Sequence, residues 1–308
     1  MLRVLVTGST GMVGKNLLDH ASAQKFNVLA PSSLELDLCN YELVLDYITR
    51  TKPSVVVHAA GRVGGIQANI NEPVAFLDDN LLIGRNVVIA ALNAGVRNFI
   101  NLGSTCMYPR NVQNPLREDL ILTGELEPTN EGYALAKVVV AKLCEYITKQ
   151  NPALHYKTIV PCNLYGLYDK FSPDNSHLVP AIIHKIHEAK ETGNETVEIW
   201  GDGQARREFM YAGDLADAIW RSVEEIKSLP NIFNCGLGYD YSVNEYYEAA
   251  AEVIGWKGTF THLLDKPVGM KQKLADISRQ KIWGWSPTTS LKHGLELTYQ
   301  HYLTRSNL

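Results

Sequence analysis

The chain has 308 residues, 45% of them hydrophobic and 20% charged, with a formal net charge of −4. That length buries a large core in one or two domains, and the acidic balance argues against nucleic acid or an anionic membrane as partners, whose binders are usually basic. No apolar run reaches bilayer length, and five scattered cysteines without a CxxC pair fit reduced thiols in a cytoplasm better than a disulfide framework or a metal site.

The N-terminus enters a strand pattern at once, without a signal-peptide layout. A strand at Arg3–Thr7 leads into Gly8-Ser9-Thr10-Gly11-Met12-Val13-Gly14 and a helix over Gly14–Gln24. In that setting Gly8 permits the tight turn, Gly11 lets the backbone approach a pyrophosphate, and Gly14 lets helix and strand pack closely. The helix start adds free N–H groups and a positive dipole end. A second strand, Asn27–Ala30, ends in Pro31-Ser32-Ser33, where an acidic residue would bind a ribose 2′-hydroxyl and a basic one a 2′-phosphate. The two serines repel neither, and their hydroxyls can donate to a phosphate, so NADPH is expected in preference to NADH. Asp37-Leu38 is expected at the adenine edge, or as the N-terminal acid of the helix Tyr41–Thr51.

The strand Ser54–His58 is followed by Ala59-Ala60-Gly61, small enough to leave room for the cofactor, and by the flexible loop Gly64–Asn69 aimed at the same edge. After the helix Val74–Ala94, the strand Asn98–Leu102 stops at Gly103-Ser104-Thr105-Cys106. The helix Tyr133–Gln150 carries Tyr133 and Lys137 as YxxxK on one face. An ammonium there is expected to lower the phenol's pKa, so that the phenol exchanges a proton with a carbonyl or alcohol oxygen. Lys157–Pro161 is the fifth strand.

Strands apolar on both faces and separated by helices predict a Rossmann-type, doubly wound parallel sheet over residues 1–164. Beyond residue 164 the alternation weakens into aromatic and Gly/Pro-rich segments with short helical patterns at His177–Glu191, Val243–Ile254 and Leu291–Leu303. Residues 165–308 read as a smaller α/β substrate-binding lobe, with the chain recrossing into the first lobe near 208–226.

The chain resembles the extended short-chain dehydrogenase/reductases and, within them, the GDP-L-fucose synthase family. The resemblance rests on Val63-Gly64-Gly65-Ile66, Gly103 to Pro109, Glu127 to Glu131, Tyr133 to Lys137, Asn163-Leu164-Tyr165-Gly166, Asn175 to Ala181, and Trp200-Gly201 with Arg207-Glu208-Phe209. It implies an NADPH-dependent epimerase and reductase acting on a GDP-linked 4-keto-6-deoxy sugar. Cys106 would be the base that removes a carbon-bound proton beside the ketone, and His177 its partner on the opposite face. Ser104 and Tyr133 would hold the C4 oxygen, and Lys137 would support Tyr133 and the cofactor ribose. Asn163, Lys185, Trp200, Arg207 and Lys273 would contact substrate, with Arg207 and Lys273 suited to a diphosphate.

The family's dimer implies that Val74–Ala94 and Tyr133–Gln150 pair in a four-helix bundle. Two departures stand out: the arginines that hold the 2′-phosphate in the family are Thr10 and Ser33 here, and the family's turn before the last lysine segment reads Pro267-Val268-Gly269. A reductase for another GDP-4-keto sugar, such as a heptose, and a non-catalytic NADPH-sensing protein are the alternatives.

Overall fold

In the computed structural model, which describes residues 1–172, 176–266 and 270–306, strands and helices alternate from the start. β1 (Arg3–Thr7) leads to α1 (Met12–Asp19), β2 (Asn27–Leu29) to α2 (Tyr41–Thr51), and β3 (Val55–His58) to α3 (Ile66–Asn71) and α4 (Pro73–Asn93). β4 (Asn98–Leu102), α5 (Glu131–Gln150) and β5 (His155–Pro161) complete the first half. Then come β6 (Asn163–Tyr165), α6 (Leu178–Thr192), β7 (Thr196–Trp200), β8 (Arg206–Arg207), β9 (Phe209–Tyr211), α7 (Ala212–Glu224) and β10 (Ile232–Cys235). The chain ends with β11 (Tyr241–Ser242), α8 (Val243–Ile254), β12 (Thr259–Leu263), β13 (Gln272–Lys273), α9 (Ser278–Trp283) and α10 (Leu291–Ser306).

Six strands form one parallel sheet in the order β10-β5-β4-β3-β1-β2. The strand alternation decides which face each residue serves. Val4 and Val6 join a core with Leu17, Leu215 and Trp220 on the α1/α7 side, while Leu5 packs with Ile48, Val88 and Val140 on the α2/α4/α5 side. This is the doubly wound α/β fold expected from the runs of Val, Ile and Leu. His58, at the end of β3, is buried and bonded to Thr7 Oγ1 at 2.8 Å; burial and nearby Lys137 push its imidazole down to about 3, so it stays neutral.

Two local features differ from the pattern. α1 ends at Asp19 rather than running on to Gln24, because His20 turns extended and its ring caps Ser22 N at 3.2 Å, opening a 3₁₀ turn. That turn swings Phe26 onto Trp220, their centroids 4.9 Å apart. The second feature is β10, a sixth strand that the sequence pattern does not reveal. It adds to the free edge of β5, and together with α7, α9 and Trp285 it packs with the six-stranded sheet.

The second lobe is a separate core of α6, α8 and α10 with the parallel pair β7–β12. A small sheet, β11-β8-β13, faces the first lobe, and β6 pairs with β9 where the lobes join. Glu208, between β8 and β9, is 1% exposed and accepts from Leu237 N, Gly238 N and Ala275 N at 2.7 to 2.9 Å. One carboxylate thereby ties the β10 exit to the segment following β13. Burial pushes its pKa up to about 7, those three N–H bonds opposing.

Candidate active site

The glycine turn at the end of β1 is built for close approach. Gly8 has φ +75°, and a Cβ there would lie 2.7 Å from Ala60 Cα. A Cβ on Gly14 would lie 2.1 Å from Gly8 O, so the helix packs against the turn only with glycine at that place. Beside Gly11 a Cβ would meet nothing nearer than Gly8 O at 3.5 Å, and Gly11 caps α1 without a side chain. Gly11 N donates to Gly8 O at 3.1 Å and closes the turn, leaving the N–H groups of Met12 and Val13 at the open start of α1, and these residues fit a pyrophosphate.

Ser9 Oγ donates to Pro31 O at 2.9 Å and fixes the turn against the end of β2. Thr10 and Ser33 are exposed there, with Ala59 and Ala60 across the gap. Asp37 instead caps its own turn, accepting from Cys39 N at 2.9 Å, while Leu38 O receives Asn86 Nδ2.

β4 ends at Leu102, and the chain then coils into a short 3₁₀ turn capped by Ser104, whose Oγ accepts from Cys106 N at 3.2 Å. That turn places the Ser104 hydroxyl and the Cys106 thiol side by side under α5. Tyr133 is hydrogen-bonded to the Ser104 side chain. Lys137 Nζ donates to Leu102 O at 3.0 Å and lies 5.8 Å from the Tyr133 ring centroid. Burial lowers the Lys137 pKa to about 8. Against expectation, the Tyr133 phenol is pushed up: burial comes first, the nearby Cys106 adds to it, and the Ser104 bond opposes it.

The Cys106 sulfur is held from two sides. Asn130 Nδ2 donates to it at 3.1 Å, and Lys273 Nζ lies 4.0 Å away. Neither neighbour was legible from spacing: Asn130 lies in a quoted motif without an assigned role, and Lys273 was expected at a diphosphate. His177 caps α6 without a side-chain cap bond, so its imidazole is left for other work. The ring is crowded yet reaches solvent, and burial with Lys170's charge lowers its pKa.

The segment Gly64–Asn69, expected as a flexible loop, is instead helical from Ile66 onward as the first turns of α3, with Asn69 Nδ2 donating back to Gly64 O and Gly65 O, and its start meets the segment before α6. A Cβ on Gly65 would lie 3.6 Å from Ser176 O, and α3 packs on the turn over residues 128–130 that carries Asn130. Each of these three segments carries a buried polar atom without a hydrogen-bond partner: Asn69 Oδ1, Asn130 Oδ1 and Ser176 Oγ. Orphaned acceptors and hydroxyls beside a thiol and an imidazole mark a place for a polar ligand.

The second lobe contributes cations and an indole. Trp200 is 55% exposed, with Lys185 Nζ 5.8 Å and Lys266 Nζ 5.9 Å from its ring. Burial lowers the Lys185 pKa. Lys266 is an addition that the sequence pattern did not single out. Arg207 is partly buried, with Nη1 on Arg206 O at 2.8 Å, and Asn163 Nδ2 is engaged by Glu208 O at 3.1 Å. Asn175 and the Pro267-Val268-Gly269 turn lie outside the described residues. Among the described residues no metal-binding cluster of His, Cys, Asp or Glu occurs, and no helix is long and apolar enough to cross a membrane.

A parallel dinucleotide-type sheet with Ser, Tyr and Lys at its C-terminal edge defines a short-chain reductase class of site. The sequence matches the NAD dependent epimerase/dehydratase family over residues 4–236. A GDP-L-fucose synthase of Azorhizobium caulinodans is 52% identical over 302 residues, covering 98% of this chain and 96% of that one. A GDP-L-colitose synthase of Yersinia pseudotuberculosis is 51% identical over 306 residues, covering 99% of both. Among solved structures, a GDP-D-glycero-L-gluco-heptose synthase from Campylobacter jejuni, determined in the presence of NADPH, superposes with a TM-score of 0.91 at 29% identity, covering 98% of both chains. The chain belongs to the NAD dependent epimerase/dehydratase family, as an extended short-chain dehydrogenase/reductase.

Proposed function

We propose that the protein is an NADPH-dependent oxidoreductase and epimerase that converts GDP-4-keto-6-deoxy-D-mannose to GDP-L-fucose, working as a cytoplasmic homodimer. The observation that carries this reading is the gathering of Ser104, Tyr133, Lys137 and the Cys106 thiol at the end of β4; His177, at the start of α6, is the proposed partner of Cys106 at carbon. A ketone at C4 acidifies the hydrogens on C3 and C5. Cys106 removes such a proton, and His177 returns one on the opposite face. Ser104 and Tyr133 donate to the C4 oxygen as negative charge builds there, where a preorganised donor acts most strongly. Bound NADPH supplies a hydride to C4, and Tyr133 gives the oxygen its proton. Lys137 orients the ribose and carries the neighbouring positive charge. In the second lobe Arg207 takes the diphosphate of the nucleotide, and Lys185 and Trp200, now joined by Lys266, contact the rest of the substrate, with Asn163 at the junction.

The test is the purified enzyme with GDP-4-keto-6-deoxy-D-mannose in D₂O. The expected result is loss of the NADPH absorbance together with deuterium at C3 and C5 of the product, read by NMR. An unchanged absorbance trace supports the NADPH-sensing alternative and rejects catalysis. Replacing Cys106 by Ser is expected to abolish the deuterium while sparing reduction, because a hydroxyl is a far weaker base than a thiolate.

A second reading is favoured by the relative at 51% identity that bears the colitose name. Colitose is fucose without its 3-hydroxyl, so a colitose-type substrate shows inversion at C5 alone. A solved structure named as a GDP-mannoheptose C4 reductase favours a C4 reductase on another GDP-4-keto sugar, and a reductase without epimerase activity shows reduction and no carbon exchange. A panel of GDP-4-keto sugars, with product stereochemistry read by NMR, separates the three.

A further inference from the structure

Lys273 lies at the sulfur of Cys106, and a small sheet exists to hold it there. β13 is two residues long and pairs with β8, so that Lys273 sits opposite Arg207 and Gln272 opposite Arg206. Asp240 locks that register: Arg206 Nε donates to Oδ1 at 2.6 Å and Gln272 Nε2 to Oδ2 at 2.6 Å. The Asp240 side chain is only 6% exposed, so both bonds are shielded from water. With both neighbours fixed, the Lys273 stem leaves the sheet and brings Nζ to 4.0 Å from Cys106 Sγ. Asn130 Nδ2, on the opposite side, is at 3.1 Å.

We propose that Lys273 is a positioning residue for proton removal at carbon: its ammonium holds the Cys106 sulfur in the anionic form that accepts the proton, rather than gripping the substrate diphosphate. The inference rests on the proposed role of Cys106 as the carbon base. A thiolate is the reactive form of cysteine, and a compact cation at this separation in a half-dry cleft favours it far more than in water. The other ionisable groups facing the sulfur are Tyr133 and Lys137 on α5. Tyr133 is held neutral, and Lys137 donates to Leu102 O and feels the sulfur only through its charge, whereas Lys273 Nζ donates to the sulfur itself. Lys273 is therefore the cation whose hydrogens are aimed at the sulfur. Because it arrives from the second lobe, the carbon base is complete only with the lobes docked, whereas Ser104, Tyr133 and Lys137 all belong to the first.

The experiment compares the unmodified protein with Lys273→Met and Lys273→Arg, without substrate, by the rate of iodoacetamide alkylation. Peptide mass spectrometry separates Cys106 from Cys39, which is exposed and serves as the internal reference; the other three cysteines are buried. At neutral pH, Lys273→Met is expected to slow alkylation of Cys106 about tenfold with Cys39 unchanged, and Lys273→Arg to restore most of it. In D₂O with the GDP sugar, Lys273→Met is expected to lower carbon deuteration by a similar factor at an unchanged KM. Unaltered Cys106 alkylation with a raised KM overturns the proposal and returns Lys273 to the diphosphate. The alkylation needs no sugar, so the two failures are separable. An unmodified enzyme that deuterates no carbon overturns the epimerase reading, while alkylation indifferent to residue 273 overturns this one.

Discussion

The proposed role of Tyr133 as a proton donor fits surroundings that keep the phenol neutral. Water is excluded around the ring, the Cys106 sulfur disfavours a second negative charge, and the Ser104 bond only partly offsets both. Reduction of a ketone needs a proton delivered to oxygen, so a neutral phenol is the useful form in that direction. Tyr133→Phe is expected to cut NADPH consumption by about 10²- to 10⁴-fold, the usual reach of one positioned acid. Deuterium exchange at carbon should partly survive it, since Cys106 and Ser104 remain; equal loss of both would show that the phenol serves carbon as well. Lys137 gives a pH prediction. Its folded pKa of about 8 lies below the unfolded 10.5, so between those values the unfolded chain binds the extra proton and stability from this group rises with pH. Below that window the buried ammonium costs stability. Thermal unfolding should therefore show Lys137→Met more favourable relative to the unmodified protein at about pH 7 than at about pH 10. The Tyr-x-x-x-Lys spacing made this pair visible in sequence, but the direction of the phenol's shift was not, because desolvation depends on what the fold stacks above the ring.

At the scale of elements, α4 and α5 meet closely because α4 offers a glycine. A Cβ at Gly84 would lie 2.3 Å from Val140 Cγ2, and Val140 is 2% exposed with a stiff, β-branched side chain. Gly84→Ala gains helix propensity of up to about 1 kcal/mol, yet overpacking costs about 1–3 kcal/mol. A net loss of stability and a lower Tm are expected, and activity should fall too, since Val140 lies two helical turns beyond Tyr133 on the same helix. A stability gain would show that the helices separate freely. The same scale explains what sequence revealed. The five strands of the first half were legible because apolar β-type runs alternate regularly with segments of helical spacing. β10 was not: Ile232-Phe233-Asn234-Cys235 is four residues long, contains a polar position, and follows a return from the other lobe. Asn234 is buried there because it accepts from Tyr108 Oη at 2.6 Å and donates to Leu116 O and Asp276 O, a set of partners gathered from distant sequence. Likewise β8 and β13 are two-residue strands whose meaning lies in Asp240, and no local pattern announces them.

For the whole molecule, the remaining question is what covers the outer face of α4 and α5. Leu135, Val139 and Tyr146 on α5 are 38%, 42% and 58% exposed, and Val74, Leu77 and Leu82 on α4 are 77%, 36% and 37% exposed. Positions 135, 139 and 146 recur at helical spacing, so they form one apolar stripe rather than isolated side chains. Apolar stripes on two packed neighbouring helices are the surface that a second copy covers in the proposed dimer, by a two-fold pairing in which each stripe meets its own counterpart. Placing Glu at both Val139 and Tyr146 sets like charges against each other across that two-fold axis. By size exclusion with light scattering, the unmodified protein is expected to elute as a dimer and the double variant as a monomer. Because α5 carries Tyr133 and Lys137, separation should also lower the rate of NADPH consumption. A double variant that stays dimeric would place the contact on another face. One that is monomeric with full activity would show that the bundle does nothing to hold the phenol in place.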